Sequence, residues 1–152
     1  IALGAEGKIT EFKQFKESSS STIQKIDEES KYYKRKFRLI NFLNNKKIYE
    51  TIQIKISKLK DYIEKNNIKK IDFLKIDTEG YEFEILLGLE NKIQLVDIVM
   101  FEHHYDSMIQ KSYTFADINE LLTKNNFNKI YKSRMPFRKT FEYIYRREEL
   151  IN

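Results

Sequence analysis

Two short stretches of this chain concentrate side chains able to handle protons or charge. The first, Lys75-Ile76-Asp77-Thr78-Glu79-Gly80, places two carboxylates two residues apart just ahead of a glycine. On a turn, that spacing lets both carboxylates converge on one pocket, and a helix N-terminus nearby lowers the cost of their charge. The second, Phe101-Glu102-His103-His104-Tyr105-Asp106, holds a carboxylate, two imidazoles, a phenol and another carboxylate in succession. His103 and His104 are the only histidines of the chain. An imidazole titrates near neutrality, so either can act as general base toward a substrate hydroxyl. Adjacent residues of an extended segment point to opposite sides, which argues against both histidines ligating one metal. Glu102 or Asp77 could hold a divalent cation through oxygen, but nothing in the spacing calls for one, and no metal is expected. Each cluster has a plainer reading beside the chemical one. Asp77 or Thr78 can be a simple N-cap with Glu79 as dipole partner, and each histidine a structural or surface group. Two such clusters at neighbouring strand ends favour the chemical reading.

Those clusters need elements to hold them. The run 71–76 is apolar and too short for a helix, which predicts a buried strand ending at Asp77. Beyond Gly80, Ile85, Leu86, Leu89 and Ile93 recur at helical spacing. The run 96–101 predicts a second buried strand, ending at Glu102. Thr114 caps the next helix with Asp117 three residues on, and Phe115, Ile118, Leu121 and Leu122 form its inner face. Segments 127–133 and 140–146 flank the only proline, Pro136, and read as an antiparallel hairpin. Earlier in the chain, an apolar start bounded by Gly4 and Gly7 and the run 8–15 suggest two extended pieces joined tightly. Segments 36–42 and 48–56 suggest a strand pair across Asn44-Asn45-Lys46, the second showing period-2 alternation of Ile52, Ile54 and Ile56. Ser57 is expected to cap a helix carrying Leu59, Tyr62 and Ile63 that ends at Asn66-Asn67. Strand, helix, strand, helix and terminal hairpin together predict an α/β fold, a mainly parallel sheet with an antiparallel C-terminal hairpin. Ligands bind such sheets outside the carboxyl ends of the strands, where both clusters fall.

Composition narrows the classes. A chain of 152 residues forms one domain, here 1–152, and buries about 70% of its unfolded surface. With 41% hydrophobic and 34% charged residues and a mean hydropathy of -0.62, it contains no apolar run long enough to span a membrane. Ten Tyr and 11 Phe supply a core, which excludes wholesale disorder. The absence of Cys excludes disulfides, thiolate catalysis and cysteine-ligated zinc, and fits a cytoplasmic protein. The net charge of +5 comes mostly from Lys travelling with Ile and Asn, so coding bias explains it and nucleic acid is not an expected partner. There is no Walker-type loop and no Gly-x-Gly-x-x-Gly. Starting at Ile1 without a signal-like segment, the chain is expected to come from something longer.

The run Phe73-Leu74-Lys75-Ile76-Asp77-Thr78-Glu79-Gly80-Tyr81-Glu82, continuing through Ile85-Leu86-Leu87-Gly88, closely resembles the hallmark of the FkbM-type methyltransferases. Ile1-Ala2-Leu3-Gly4 resembles the third-strand segment of that family, and Ser20-Ser21-Thr22 its serine patch. The segment 54–62 resembles the family's strand-then-helix lead-in, and Ile98-Val99-Met100-Phe101-Glu102 its fifth strand. The resemblance implies a class I, Rossmann-like methyltransferase fold that uses S-adenosylmethionine. The acceptor it implies is a hydroxyl on a sugar, polysaccharide or natural product. It also implies that the chain lacks the family's first two strands, their helices and the glycine-rich cofactor loop. As a fragment it is then expected to be incomplete and inactive, with an unprotected sheet edge. On this reading Lys75, Asp77 and Gly80 face the cofactor, while Asp77, Glu79, Glu102 and His103 or His104 line the transfer pocket and bind or deprotonate the acceptor. The competing expectation is a non-catalytic basic binding or interaction module, either a degenerate methyltransferase fold or a nucleic-acid binder.

Overall fold

Among the described residues, nine strands, several with apolar side chains at alternate positions, are interspersed with four short α-helices and one 3-10 helix. The structure, a computed structural model, describes residues 2–15, 21–40, 49–105, 108–136 and 139–148. In chain order the elements are β1 (Ala2–Gly4), β2 (Lys8–Phe15), β3 (Lys25–Ile26), α1 (Lys31–Ile40), β4 (Tyr49–Lys58) and α2 (Leu59–Lys65). There follow β5 (Ile71–Ile76), α3 (Glu82–Leu87), a 3-10 helix (Glu90–Leu95), β6 (Val96–His104), β7 (Ile109–Gln110), α4 (Phe115–Lys124), β8 (Phe127–Arg134) and β9 (Thr140–Arg147).

The strands form a three-stranded sheet in the order β1-β4-β2, a two-stranded β3-β7 ribbon, and a four-stranded sheet in the order β5-β6-β9-β8. Only β1/β4 and β5/β6 are parallel among the described strand pairs; the other four pairings are antiparallel. The sheets are therefore mixed where a mainly parallel one was expected. A parallel pair needs a crossover, which α3 and the 3-10 helix supply between β5 and β6, whereas the β8–β9 hairpin places β9 antiparallel against β6.

Three local expectations are corrected. Segment 36–42 is expected as a strand, yet its described part lies in α1. Ser30 caps that helix, its hydroxyl accepting from the Tyr33 N–H at 3.2 Å, and Tyr33 stacks on Phe37 one turn later with ring centroids 6.1 Å apart. Strand β4 consequently pairs with β2 rather than with 36–42, and Asn44-Asn45-Lys46 lies outside the described residues. Ser57 does not cap α2, because β4 runs on through Lys58. Strand β6 reaches His104, so Glu102, His103 and His104 belong to the strand itself rather than to the loop beyond it. The α4 cap forms as its sequence requires: the Asp117 carboxylate accepts from the Thr114 N–H at 2.7 Å and from its hydroxyl at 2.8 Å.

One face of the four-stranded sheet packs against helices. Ile76, Val99, Phe101, Tyr143 and Tyr145 meet Ile85, Leu86, Leu89, Ile93, Ile118 and Leu122, and Ile56, Leu59 and Ile63 extend this core to β4 and α2. A second cluster joins Phe15, Tyr33, Met108 and Ile109. The register puts Phe73, Ile98, Met100, Ile144 and Tyr131 on the opposite face, and none of them enters either core. No helix among the described residues is long and apolar enough to cross a membrane.

Candidate functional site

Parallel pairing sets Ile76 beside Phe101, so the residues that follow, Asp77 and Glu102, emerge next to each other. Asp77 is exposed, with the Lys75 ammonium 3.3 Å from its Oδ2. Glu102 is buried and stands opposite Glu142 of β9. Burial pushes the Glu102 carboxyl above its ordinary range. The charge of Asp77 adds to that, and Glu142 in a smaller way, against the opposing pull of His104 and Lys75.

Between β5 and α3 the backbone turns through two consecutive left-handed residues, Glu79 (φ 50°) and Gly80 (φ 96°). For a residue with a side chain that conformation costs about 1–2 kcal/mol, and it persists where neighbours over-determine it. Here they do. The Thr22 hydroxyl donates to the Glu79 carbonyl at 2.8 Å, and the Gln24 amide to the Gly80 carbonyl at 2.9 Å. From the other side the Glu82 carboxylate accepts from the Gly80 N–H at 2.7 Å, from the Thr78 hydroxyl at 3.3 Å and from the Tyr113 phenol. Glu82 is fully buried. Gly80 has a packing reason as well as a dihedral one, since a Cβ there would sit 2.5 Å from Ile109 Cγ2. Its missing side chain makes room for β7.

This turn carries Glu79 from the first cluster to the second: its Oε2 lies 3.2 Å from His104 Nε2, both side chains largely buried. His104 Nδ1 lies 3.0 Å from the Thr140 hydroxyl, and the Lys111 ammonium donates to the His104 carbonyl. Asp77, Glu79, Glu102 and His104 thus gather at one end of β5 and β6. His103 does not join them. Its ring points to the other face, edge-on to Tyr105 at 4.7 Å and to Phe115 at 5.9 Å, with Tyr113 at 6.0 Å. Burial there pushes the imidazole down to about 4, with Lys111 and His104 adding to it. Asp106 lies outside the described residues. Among the described residues no group of three or more histidine or carboxylate side chains is disposed to hold one metal ion.

Sequence reasoning missed the residues that hold the turn. Glu82 stands in the quoted motif but shows no sign of its burial, and Tyr113 looks like any core aromatic. Thr22 and Gln24 reach the turn from 57 and 56 residues away, a separation that no local pattern encodes.

A cleft of about 340 Å³ opens where β1 and β4 face the end of β5, lined by Ala2, Leu3, Ile54, Asp77, Thr78 and Tyr81 among others. A wider groove of about 730 Å³ between β4 and α2 shares Ala2, Phe12 and Ile54 with it but contains no residue of either cluster. Residues 1–129 match the family model of the Methyltransferase FkbM domain. The chain belongs to the FkbM methyltransferase family. No curated protein and no solved structure gives a significant match. Both clusters and the whole 77–82 turn lie inside the matched FkbM span, whereas Thr140 and Glu142, which complete the site from β9, lie beyond it.

Proposed function

We propose that this FkbM domain is an S-adenosylmethionine-dependent O-methyltransferase, and that β5, β6, β9 and β8 form the carboxyl half of a class I, Rossmann-like sheet. The observation that carries the reading is the convergence of Asp77, Glu79, Glu102 and His104 at the end of two parallel strands, beside a cleft that Asp77 itself lines. The cleft fits the cofactor in kind: its volume is in the range of small-molecule sites, its walls are mainly apolar and one carboxylate stands in its lining. Bound there, S-adenosylmethionine supplies a methyl group on a sulfonium.

Asp77 balances positive charge and accepts hydroxyl donors at the cleft wall, with Lys75 fixing its carboxylate. Thr78 and Tyr81 border the same space, and Ala2, Leu3 and Ile54 give it apolar walls. Holding an acceptor oxygen in line accounts for most of the rate in such a transfer. Glu102, its carboxyl raised above the ordinary range by burial, is the base: one of its carboxylate oxygens would take the proton of the acceptor hydroxyl. His104 is held between Glu79 and Thr140 and, when protonated, provides a compensating positive charge. The acceptor is a hydroxyl of a sugar, polysaccharide or natural product.

Calorimetric titration of the full natural chain with S-adenosylmethionine tests this reading. Saturable binding is expected, weakened about tenfold or more in Asp77→Asn, since a hydrogen bond to a charged group contributes about 1.5–3 kcal/mol. Absence of binding to the unsubstituted protein sinks the proposal.

A further inference from the structure

We infer that Glu82 is a positioning residue, which holds the Thr78–Gly80 turn so that Glu79 presents its carboxylate to His104. The catalytic part of this inference rests on the proposed methyl transfer; the geometric part does not. Glu82 is the only fully buried carboxylate among the described residues, and a buried charge is kept only where hydrogen bonds satisfy it. All its bonds are accounted for by the turn and by one core phenol. Oε1 takes the Gly80 N–H and the Thr78 hydroxyl, and Oε2 takes the Tyr113 hydroxyl. It therefore grips the residues on either side of Glu79 and ties them to Tyr113, a member of the main core.

Two features show what the grip accomplishes. Glu79 is the one residue between these two contacts, and it adopts a left-handed conformation that a free chain leaves readily. Its carboxylate, carried by that conformation, reaches His104 on a different strand. Thr22 and Gln24 hold the carbonyls of the turn but not its N–H or hydroxyl groups, so they do not replace Glu82. An acidic side chain is not needed for its charge here. A glutamine can offer its oxygen to Gly80 and Thr78 and its amide to Tyr113, whose hydroxyl then accepts.

The test compares Glu82→Gln with Glu82→Leu in the full natural chain, reading His104 by NMR titration alongside turnover. In Glu82→Leu, His104 is expected to titrate at lower pH than in the unsubstituted protein, because the Glu79 carboxylate leaves while Glu102, Lys111 and His103 stay. The kcat falls at least tenfold with the KM for S-adenosylmethionine within about threefold. Glu82→Gln restores both readouts to within twofold of the unsubstituted protein. A folded Glu82→Leu protein with unmoved His104 titration overturns the inference, and so does Glu82→Gln behaving like Glu82→Leu. Should Glu82→Leu fail to fold, Thr78→Val and Tyr113→Phe each remove one hydroxyl that Glu82 holds. Both should move the His104 titration the same way by a smaller amount, and no movement in either overturns the inference. If the protein transfers no methyl group, the His104 titration still decides the role of Glu82, so the two failures are separable.

Discussion

Replacing Gly88 by Ala probes the contact that seats the first strand, and with it one wall of the cleft. Gly88 closes α3 in ordinary right-handed geometry (φ -68°, ψ -9°), so no dihedral demands glycine there. Space does. A Cβ at this position would lie 2.1 Å from the Gly4 carbonyl oxygen in β1 and 2.9 Å from its carbonyl carbon. Close carbon–oxygen contacts begin at about 3.3 Å, so β1 must retreat by roughly 1 Å. Because the obstacle is backbone, the overpacking cost lies in the upper part of the usual range, about 2–3 kcal/mol, and ending the helix on alanine instead of glycine returns about 1 kcal/mol. The net loss is about 1–2 kcal/mol, which for a chain of this size lowers Tm by roughly 2–8 °C. Thermal unfolding followed by circular dichroism at fixed pH gives the number. The displacement also reaches the cleft, which Ala2 and Leu3 line, so with the proposed function the affinity for S-adenosylmethionine should fall in the same variant. An unchanged or raised Tm would mean that β1 does not pack on α3 in this way.

Further predictions follow from the titrating groups. His103 stays neutral in the fold down to about 4 while its unfolded counterpart gains a proton below about 6.5, so the unfolded state binds more protons in that window and stability falls as pH drops through it. His103→Leu should flatten the dependence of stability on pH between 6.5 and 4, whatever it does to stability at pH 7; denaturant melts at several pH values would show an unaltered slope if the aromatic site were misassigned. Glu90 bonds Lys58 at 2.6 Å and Lys60 at 2.8 Å, and these partners hold its carboxyl down to about 2. Its contribution is complete above the ordinary carboxyl value near 4.5 and disappears as pH falls toward 2, so Glu90→Gln should be less stable than the parent at pH 6 and equal to it near pH 2.

What the sequence disclosed was local. The strand Ile71–Ile76 and the α4 cap are written in consecutive residues, an apolar run in one case and Thr114 with Asp117 in the other, and both form as read. The opposite orientations of His103 and His104 likewise follow from strand alternation alone. Non-local choices were hidden. Lys36-Phe37-Arg38-Leu39-Ile40 alternates well enough for a strand, yet the Ser30 cap and the packing of Tyr33 and Phe37 against Phe15 and Met108 draw it into a helix. The two chemical clusters were visible as types and spacing, but not their union. That depends on a left-handed Glu79, which is held by Thr22 and Gln24 from one side and by buried Glu82 from the other. No residue pattern within the 77–80 turn announces those contacts.

Methyl transfer at the end of β5 and β6 is the activity proposed for this domain. Its most direct test is release of S-adenosylhomocysteine by the full natural chain offered S-adenosylmethionine and a panel of hydroxyl-bearing sugars. Asp77→Asn and Glu102→Gln are measured alongside, with folding checked by circular dichroism. Turnover is expected to depend on the sugar, with a fall in kcat of about 100-fold or more for Glu102→Gln, as loss of a general base entails, and a sharp fall for Asp77→Asn, both proteins remaining folded. Turnover unchanged in these two variants would contradict the proposal and place the chemistry elsewhere in the molecule.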